Sequence, residues 1–188
     1  MKKEVYLAGD MLNRGSQLQR AEEKQQLKDL GYSLYVPQDN KEINDKENLN
    51  SNEGLAEKIV RHDTEAIWNS DIIVMEAREA ALGTCIEMGQ IHGMKDMAET
   101  IKFMLDSFAC CGTVNNGELQ EVRDYLDEVI NKPVYIHNSD IRRGGNPTET
   151  GDRRSYGPHQ YLYGIVLALT KGKGYREFEE ILGELSGE

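Results

Sequence analysis

"DIIVMEAREAALGTCIEMGQ", residues 71–90, decides how the chain is read. The apolar run 71–77 has the length and β-branched content of a buried strand. From Gly83 onward small and apolar residues recur at helical spacing, so the stretch "GTCIEMGQIHGMK", 83–95, predicts a helix. A buried strand feeding a helix is half of a parallel βαβ unit. Within that helix one residue stands out. Glu87 has Gly83 at i−4 and Ile91 at i+4, so it faces the packed side.

Upstream, the same alternation repeats. "EVYLAG" (4–9) reads as a strand, "SQLQRAEEKQQLKDLG" (16–31) as a helix closed by Gly31, and "YSLYVP" (32–37) as a strand stopped by Pro37. The polar stretch 39–52 has no period and reads as a loop, and 53–70 as a helix. A βαβαβα order predicts an α/β fold: a parallel sheet with helices on both faces. Ligands in such sheets sit beyond the carboxyl ends of the strands. The candidate site segments are therefore "AGDMLNRG", "PQDN" and "EAREAALGT".

Downstream the pattern changes. "DMAETIKFMLDSFACC" (96–111) and "GELQEVRDYLDEVIN" (117–131) read as two helices inserted before a fourth strand in "KPVYIHNSD" (132–140). The expectation is one domain over 1–188 with a helical insertion at about 96–131. A long loop rich in Gly, Arg, Pro and Thr follows at 141–159, then two helices.

Composition excludes several classes. A formal net charge of −11 disfavours a polymeric nucleic-acid partner, which would want a basic footprint. No apolar stretch reaches the ~18 residues that a membrane span needs. The N-terminal apolar run is too short for a signal peptide. Three cysteines without a CxxC do not make a disulfide framework, and the simple reading is a reducing cytoplasm. His62, His92, His137 and His159 show no metal spacing, so no metal site is expected.

Two acids carry chemical interest. Asp63 shares a helix stripe with Ile59 and Ile67, its i−4 and i+4 neighbours. It is either an acid that escapes to water or a desolvated proton donor with a raised pKa. Glu87, near its helix start, is either a dipole partner or a carboxylate kept ionised as a nucleophile. Opposed pKa shifts in two acids are the mark of a split acid and nucleophile pair, as in retaining glycosyl transfer. Gly83 and Thr84 would let a substrate approach the helix start closely.

"VYLAGD", "YVPQDN", "IVRHDTEAIWNSDIIVME" and "LGTCIEMGQ", in that order and spacing, resemble the nucleoside 2-deoxyribosyltransferase family. The resemblance covers about 1–93 and, more loosely, 132 to the C-terminus; the insertion has no counterpart. It implies a flavodoxin-like, Rossmann-like fold. It implies that Glu87 attacks C1′ of a 2′-deoxynucleoside and holds the sugar as an ester. Asp63 would exchange a proton with the base, and Tyr6 would hydrogen-bond and steer the nucleophile. Gly9, Asp39 and Asn40 match turns near the substrate, and Asp71 a structural strand opener. Family members are oligomers in which a neighbouring subunit completes the sugar site, a place Gln160 could fill. No cofactor is implied; the partners are deoxynucleosides, free bases and a second copy of the chain.

One position departs from the pattern. Six residues before Glu87, related transferases often carry Asp and related 5′-monophosphate hydrolases often carry Ser; here it is Ala81. Glu79 lies nearby, out of register. Arg14 and the arginines of the 141–159 loop could bind a phosphate or be solvated charges. The leading expectation is a deoxyribosyltransferase. The alternatives are a nucleoside 5′-monophosphate N-glycosidase with the same nucleophile, and a nucleotide-sensing protein without turnover.

Overall fold

A computed structural model describes residues 2–44, 53–110, 117, 119–140 and 158–187. Strand β1 (Glu4–Ala8) is followed by helix α1 (Arg14–Asp29) and strand β2 (Ser33–Tyr35). A 3-10 turn (Pro37–Asp39) and one helical turn, α2 (Lys41–Asn44), lead towards α3 (Leu55–Asn69). Then come β3 (Ile72–Glu76), α4 (Leu82–Cys110), α5 (Gln120–Asn131), β4 (Val134–His137), α6 (Gln160–Leu169) and α7 (Phe178–Ser186). The four strands are parallel, in the order β2-β1-β3-β4. Arg176 forms one further parallel bridge to His137, at the place where a fifth strand would lie in a doubly wound sheet.

Alternation along the strands sorts the core into two halves. Tyr6, Ala8, Ile73, Met75, Val134 and Ile136 face one way and pack with α3, α4 and α6 through Ile67, Met88, Ile91 and Val166. Val5, Leu7, Ile72 and Val74 face the other way, against Leu27 of α1 and Ile181 of α7. The expected α/β plan with both faces covered is thus present. Asp71 opens β3 and ties it to β1: its carboxylate accepts from Glu4 N at 2.7 Å, and its own N–H donates to Glu4 O at 2.9 Å.

Two local expectations are corrected. The polar stretch after Pro37 is not all loop, because the 3-10 turn and α2 occupy its beginning and bury Ile43; residues 45–52 lie outside the described residues. The helix at 83–95 does not stop before Asp96. It continues without a break to Cys110, since nothing between Gly93 and Cys110 interrupts it: no proline, no further glycine. Residues 96–131 are therefore the far turns of α4 together with α5, which packs back through Ala98, Leu105, Leu126 and Val129. Lys95 Nζ donates to Ile130 O and Lys132 O, both at 2.7 Å, at the end of α5. Lys132 Nζ does the same for Ile67 O and Trp68 O at the end of α3. Both lysines satisfy carbonyls that helix ends leave open.

On the α1 side, the buried stripe of α1 is Ser16, Arg20, Glu23 and Leu27, mostly polar. Arg20 Nη1 donates to Ala8 O at 2.9 Å, and Nη2 reaches Glu23 at 2.6 Å and Glu76 at 3.3 Å. Ser139 Oγ donates to Glu76, and His137 Nε2 lies 3.4 Å from Glu23 Oε1. This ionic knot sits under the carboxyl ends of β1, β3 and β4. Among the described residues Arg20 is its only arginine or lysine, so removing it leaves two buried acids without that cation. Arg20→Met is expected to destabilise the fold by about 3–5 kcal/mol, read by urea unfolding at pH 7; a loss below about 1 kcal/mol would show that the knot contributes little.

Candidate active site

Strand order reverses on either side of β1, which has β2 on one flank and β3 on the other. At their carboxyl ends a cavity of about 370 Å³ opens between the turn after β1 and the start of α4. Its wall includes Gly9 and Asp10 after β1, Pro37 after β2, Asp63 of α3, Ala81 before α4, and Gly83, Thr84 and Glu87 of α4. This is where an open parallel sheet binds ligands.

Glu87 is the sixth residue of α4, on its second turn. Beneath it lies Tyr6, fully buried in β1, whose Oη donates to Glu87 Oε1 at 2.9 Å. The other carboxylate oxygen, Oε2, is buried and accepts no hydrogen bond from the described residues. Tyr6 pairs in register with Tyr35 on the neighbouring parallel strand. Side chains opposite each other on parallel strands share a face, and the two rings stack, 5.6 Å apart and 10° from parallel. Tyr35 Oη donates to Asp63 Oδ1 at 2.9 Å and accepts from Asn40 Nδ2 at 3.1 Å. Two stacked phenols therefore each hold one carboxylate.

Burial pushes Glu87 up to about 7; the Tyr6 hydrogen bond pulls it down, and the Asp63 charge pushes it up. Asp63 is also raised, by burial first, with the Tyr35 hydrogen bond and nearby His62 working against it. The expectation that the helix dipole keeps Glu87 low is thus corrected. One turn into the helix the dipole has faded, and desolvation outweighs it. Tyr6 is held well above the ordinary phenol value by burial and by Glu87, and burial pushes Tyr35 up to about 12. Both phenols are donors at neutral pH.

The other expected residues divide. Gly9, Gly83 and Thr84 line the cavity with Glu87 and Asp63. Gly9 has a steric reason to be glycine: a Cβ there would run into the Arg20 guanidinium and crowd Glu76 Cβ at 3.0 Å. Asn40 stands behind Tyr35. Asp39 is exposed and ion-paired with Lys24, and Arg14 is exposed at the first residue of α1, so neither reaches the cavity. Gln160 is exposed at the first residue of α6 and lines a separate, open cleft between α4 and α6. Glu79 borders that cleft too, where it accepts from His159 N, so it does not stand in for Ala81. Ala81 itself is buried in the cavity wall. The arginines at 142, 143, 153 and 154 lie outside the described residues. Sequence reasoning missed Tyr35 and Asp10. The visible signal for Tyr35 was a second tyrosine at the carboxyl end of the strand beside β1.

The chain matches the model of the family described as nucleoside 2-deoxyribosyltransferase over residues 5–115, more than half its length. It belongs to the nucleoside 2-deoxyribosyltransferase family. No curated protein matches it in sequence. Among solved structures, a conserved protein from Enterococcus faecalis V583 covers all of this chain with 99% of its own, at 19% identity and a TM-score of 0.62. That likeness is one of fold. A 2-deoxyribosyltransferase from the psychrotolerant bacterium Bacillus psychrosaccharolyticus matches 46% of this chain and 63% of its own, at 24% identity and a TM-score of 0.41. The family match includes β1, α3 and the start of α4, and so Tyr6, Asp63 and Glu87 of this family member.

The raised pKa of Glu87 has a consequence for stability. An acid raised from 4.5 to about 7 on folding penalises the folded state fully above pH 7 and not at all well below 4.5. Glu87→Gln keeps an acceptor for Tyr6 and removes that penalty. It is expected to stabilise the fold by about 2–3 kcal/mol at pH 8, shrinking towards zero as the pH nears 4.5. Urea unfolding at both ends of the range checks this; an equal effect at both would contradict the desolvation of Glu87.

Proposed function

We propose that this protein moves 2-deoxyribose between nucleobases through a covalent ester on Glu87. The observation that carries the reading is the division of labour on the Glu87 carboxylate. Oε1 is held by Tyr6, while Oε2 is buried and has no hydrogen-bond partner among the described residues, on a side chain that lines the cavity. A desolvated oxygen with a fixed orientation is a competent nucleophile.

In the first half-reaction Glu87 Oε2 attacks C1′ of a 2′-deoxynucleoside. The C1′–N bond breaks, its electron pair goes to the base nitrogen, and protonated Asp63 supplies a proton to the departing base. In the second half the nitrogen of an incoming base attacks C1′, Glu87 leaves as a carboxylate, and Asp63 recovers a proton. Two displacements at one carbon retain configuration. A pKa raised by burial suits Asp63 to giving and retaking the proton. Water competing for the ester would give slow hydrolysis.

The assembly follows from the same reading. Gln160 and the exposed Tyr161 begin α6 away from the chain's own cavity, and in a homo-oligomer they would be offered to a neighbour's sugar site.

The test is base exchange followed by chromatography. Deoxyinosine and free adenine should give deoxyadenosine and hypoxanthine, and denatured protein sampled without acceptor should carry one deoxyribosyl group on Glu87. Glu87→Ala is expected to abolish exchange, and Asp63→Asn to slow it by about 10²–10⁴-fold. Full exchange in Glu87→Ala would sink the mechanism.

The pH profile gives a second check. Glu87 must be ionised to attack, so kcat/KM should fall as pH drops below about 7. Tyr6→Phe removes the hydrogen bond that lowers Glu87 and should move this acid limb to higher pH. An unmoved limb in Tyr6→Phe would detach Tyr6 from the nucleophile.

A further inference from the structure

Three acids line the cavity, Asp10, Asp63 and Glu87, and among the described residues no lysine or arginine lines it. The mechanism uses two of them and leaves Asp10 without a task. Asp10 is buried in the turn after β1. Its carboxylate accepts from Leu12 N at 3.0 Å, Asn13 Nδ2 at 2.7 Å and Ser16 Oγ at 2.6 Å. Burial alone would push this carboxyl up. The hydrogen bonds from Ser16 and Leu12 and the nearby Arg78 and Arg20 outweigh it, and the group ends below its ordinary value. Burial raises both Asp63 and Glu87, whereas Asp10 keeps its negative charge.

Two arginines act on Asp10, Arg78 more strongly than Arg20, and neither lines the cavity. Arg20 lies behind Gly9 and is already matched by Glu23 and Glu76. What favours an anion in the cavity is the start of α4 at Leu82–Thr84, worth about half a positive charge. Ala81, in the same wall, has no side-chain donor to add to it. Among the described residues of the wall itself, a full fixed negative charge stands against about half a positive one, with Arg78 outside the wall, and that favours uncharged ligands.

We propose that Asp10 is a specificity-determining residue of this cavity: its standing negative charge repels ligands that carry a 5′-phosphate and leaves the site to uncharged deoxynucleosides and free bases. The proposal rests on the reading of the cavity as a deoxynucleoside site. Its rival is a purely local role for Asp10, tying the 10–16 turn together.

The experiment compares deoxyinosine with deoxyinosine 5′-monophosphate. Relative kcat/KM is measured in the native chain and in Asp10→Asn, which has nearly the same size but replaces one accepting oxygen of the turn with a donor. The Kd of each ligand is measured by calorimetry in Glu87→Gln, with and without Asp10→Asn. The native cavity should favour the nucleoside, and Asp10→Asn should cut that preference roughly tenfold. In the native chain, added salt should raise the monophosphate-to-nucleoside ratio, because screening weakens repulsion. The salt series needs no variant and tests the repulsion itself even if Asp10→Asn does not fold.

A native preference for the monophosphate would overturn the proposal. So would a ratio flat in salt, or an Asp10→Asn variant that weakens both ligands equally. The two readings can fail separately. Absent turnover with the expected Kd ratios would remove the transferase and keep Asp10 as a filter. Base exchange with an unmoved ratio would do the reverse.

Discussion

A single desolvated carboxylate organises this site. Glu87 sits on the second turn of α4 against a fully buried tyrosine, and among the described residues only one of its oxygens is hydrogen-bonded. A buried acid in that state is unfavourable for the fold, and the surroundings must hold it. They do so through the sheet. Tyr6 is in the middle of β1 and cannot move without disturbing two neighbouring strands. Its ring is backed by Tyr35, whose hydroxyl is engaged in turn by Asp63 and Asn40. The position of one oxygen is thus set by parallel register, a ring stack and a short chain of hydrogen bonds. Support of this kind, from packed strands rather than loops, gives a site its accuracy.

Much of this was legible beforehand, for identifiable reasons. Strands that run straight into helices announce a parallel sheet, and such a sheet locates its ligand site before any side chain is considered. Spacing along α3 and α4 turned Asp63 and Glu87 inward. Three things were hidden, each by a different kind of physics. The pKa of Glu87 depends on how much protein covers it, which one-dimensional spacing does not report; the dipole argument chose the weaker effect. Tyr35 became part of the site only through its register with Tyr6, a long-range pairing. The run of α4 past Asp96 was obscured because its polar residues looked like a boundary, although they are one face of a helix whose other face meets α5.

The side of the sheet away from Glu87 contributes as well. The buried stripe of α1 carries Arg20 and Glu23 where apolar residues would be ordinary. Arg20 fixes the end of β1 by binding Ala8 O, and it fills the space that Gly9 leaves open. Gly9 and Asp10 begin the turn that walls the cavity. The ionic knot therefore anchors the turn from behind while α4 closes the cavity from the front. A charged cluster is a poor way to gain stability but a good way to fix one geometry, since only one arrangement satisfies it.

Two raised acids, in place of one raised and one lowered, change how the chemistry is to be understood. With opposed shifts the proton's place would be settled before substrate arrives. Here Asp63 raises Glu87, so the two titrate as a coupled pair. The phenols act in parallel: Tyr6 favours the ionised form of Glu87, and Tyr35 favours the ionised form of Asp63. Neither bond alone assigns the proton. On the proposed mechanism substrate breaks the tie, because a departing base offers Asp63 an acceptor while C1′ offers Glu87 an electrophile. Such a pair is also suited to running backwards. On that proposal a transfer that takes a base away and adds another is nearly thermoneutral, and an acid raised by burial serves as donor one way and acceptor the other. In this reading the burial that penalises the folded chain also makes the site reversible.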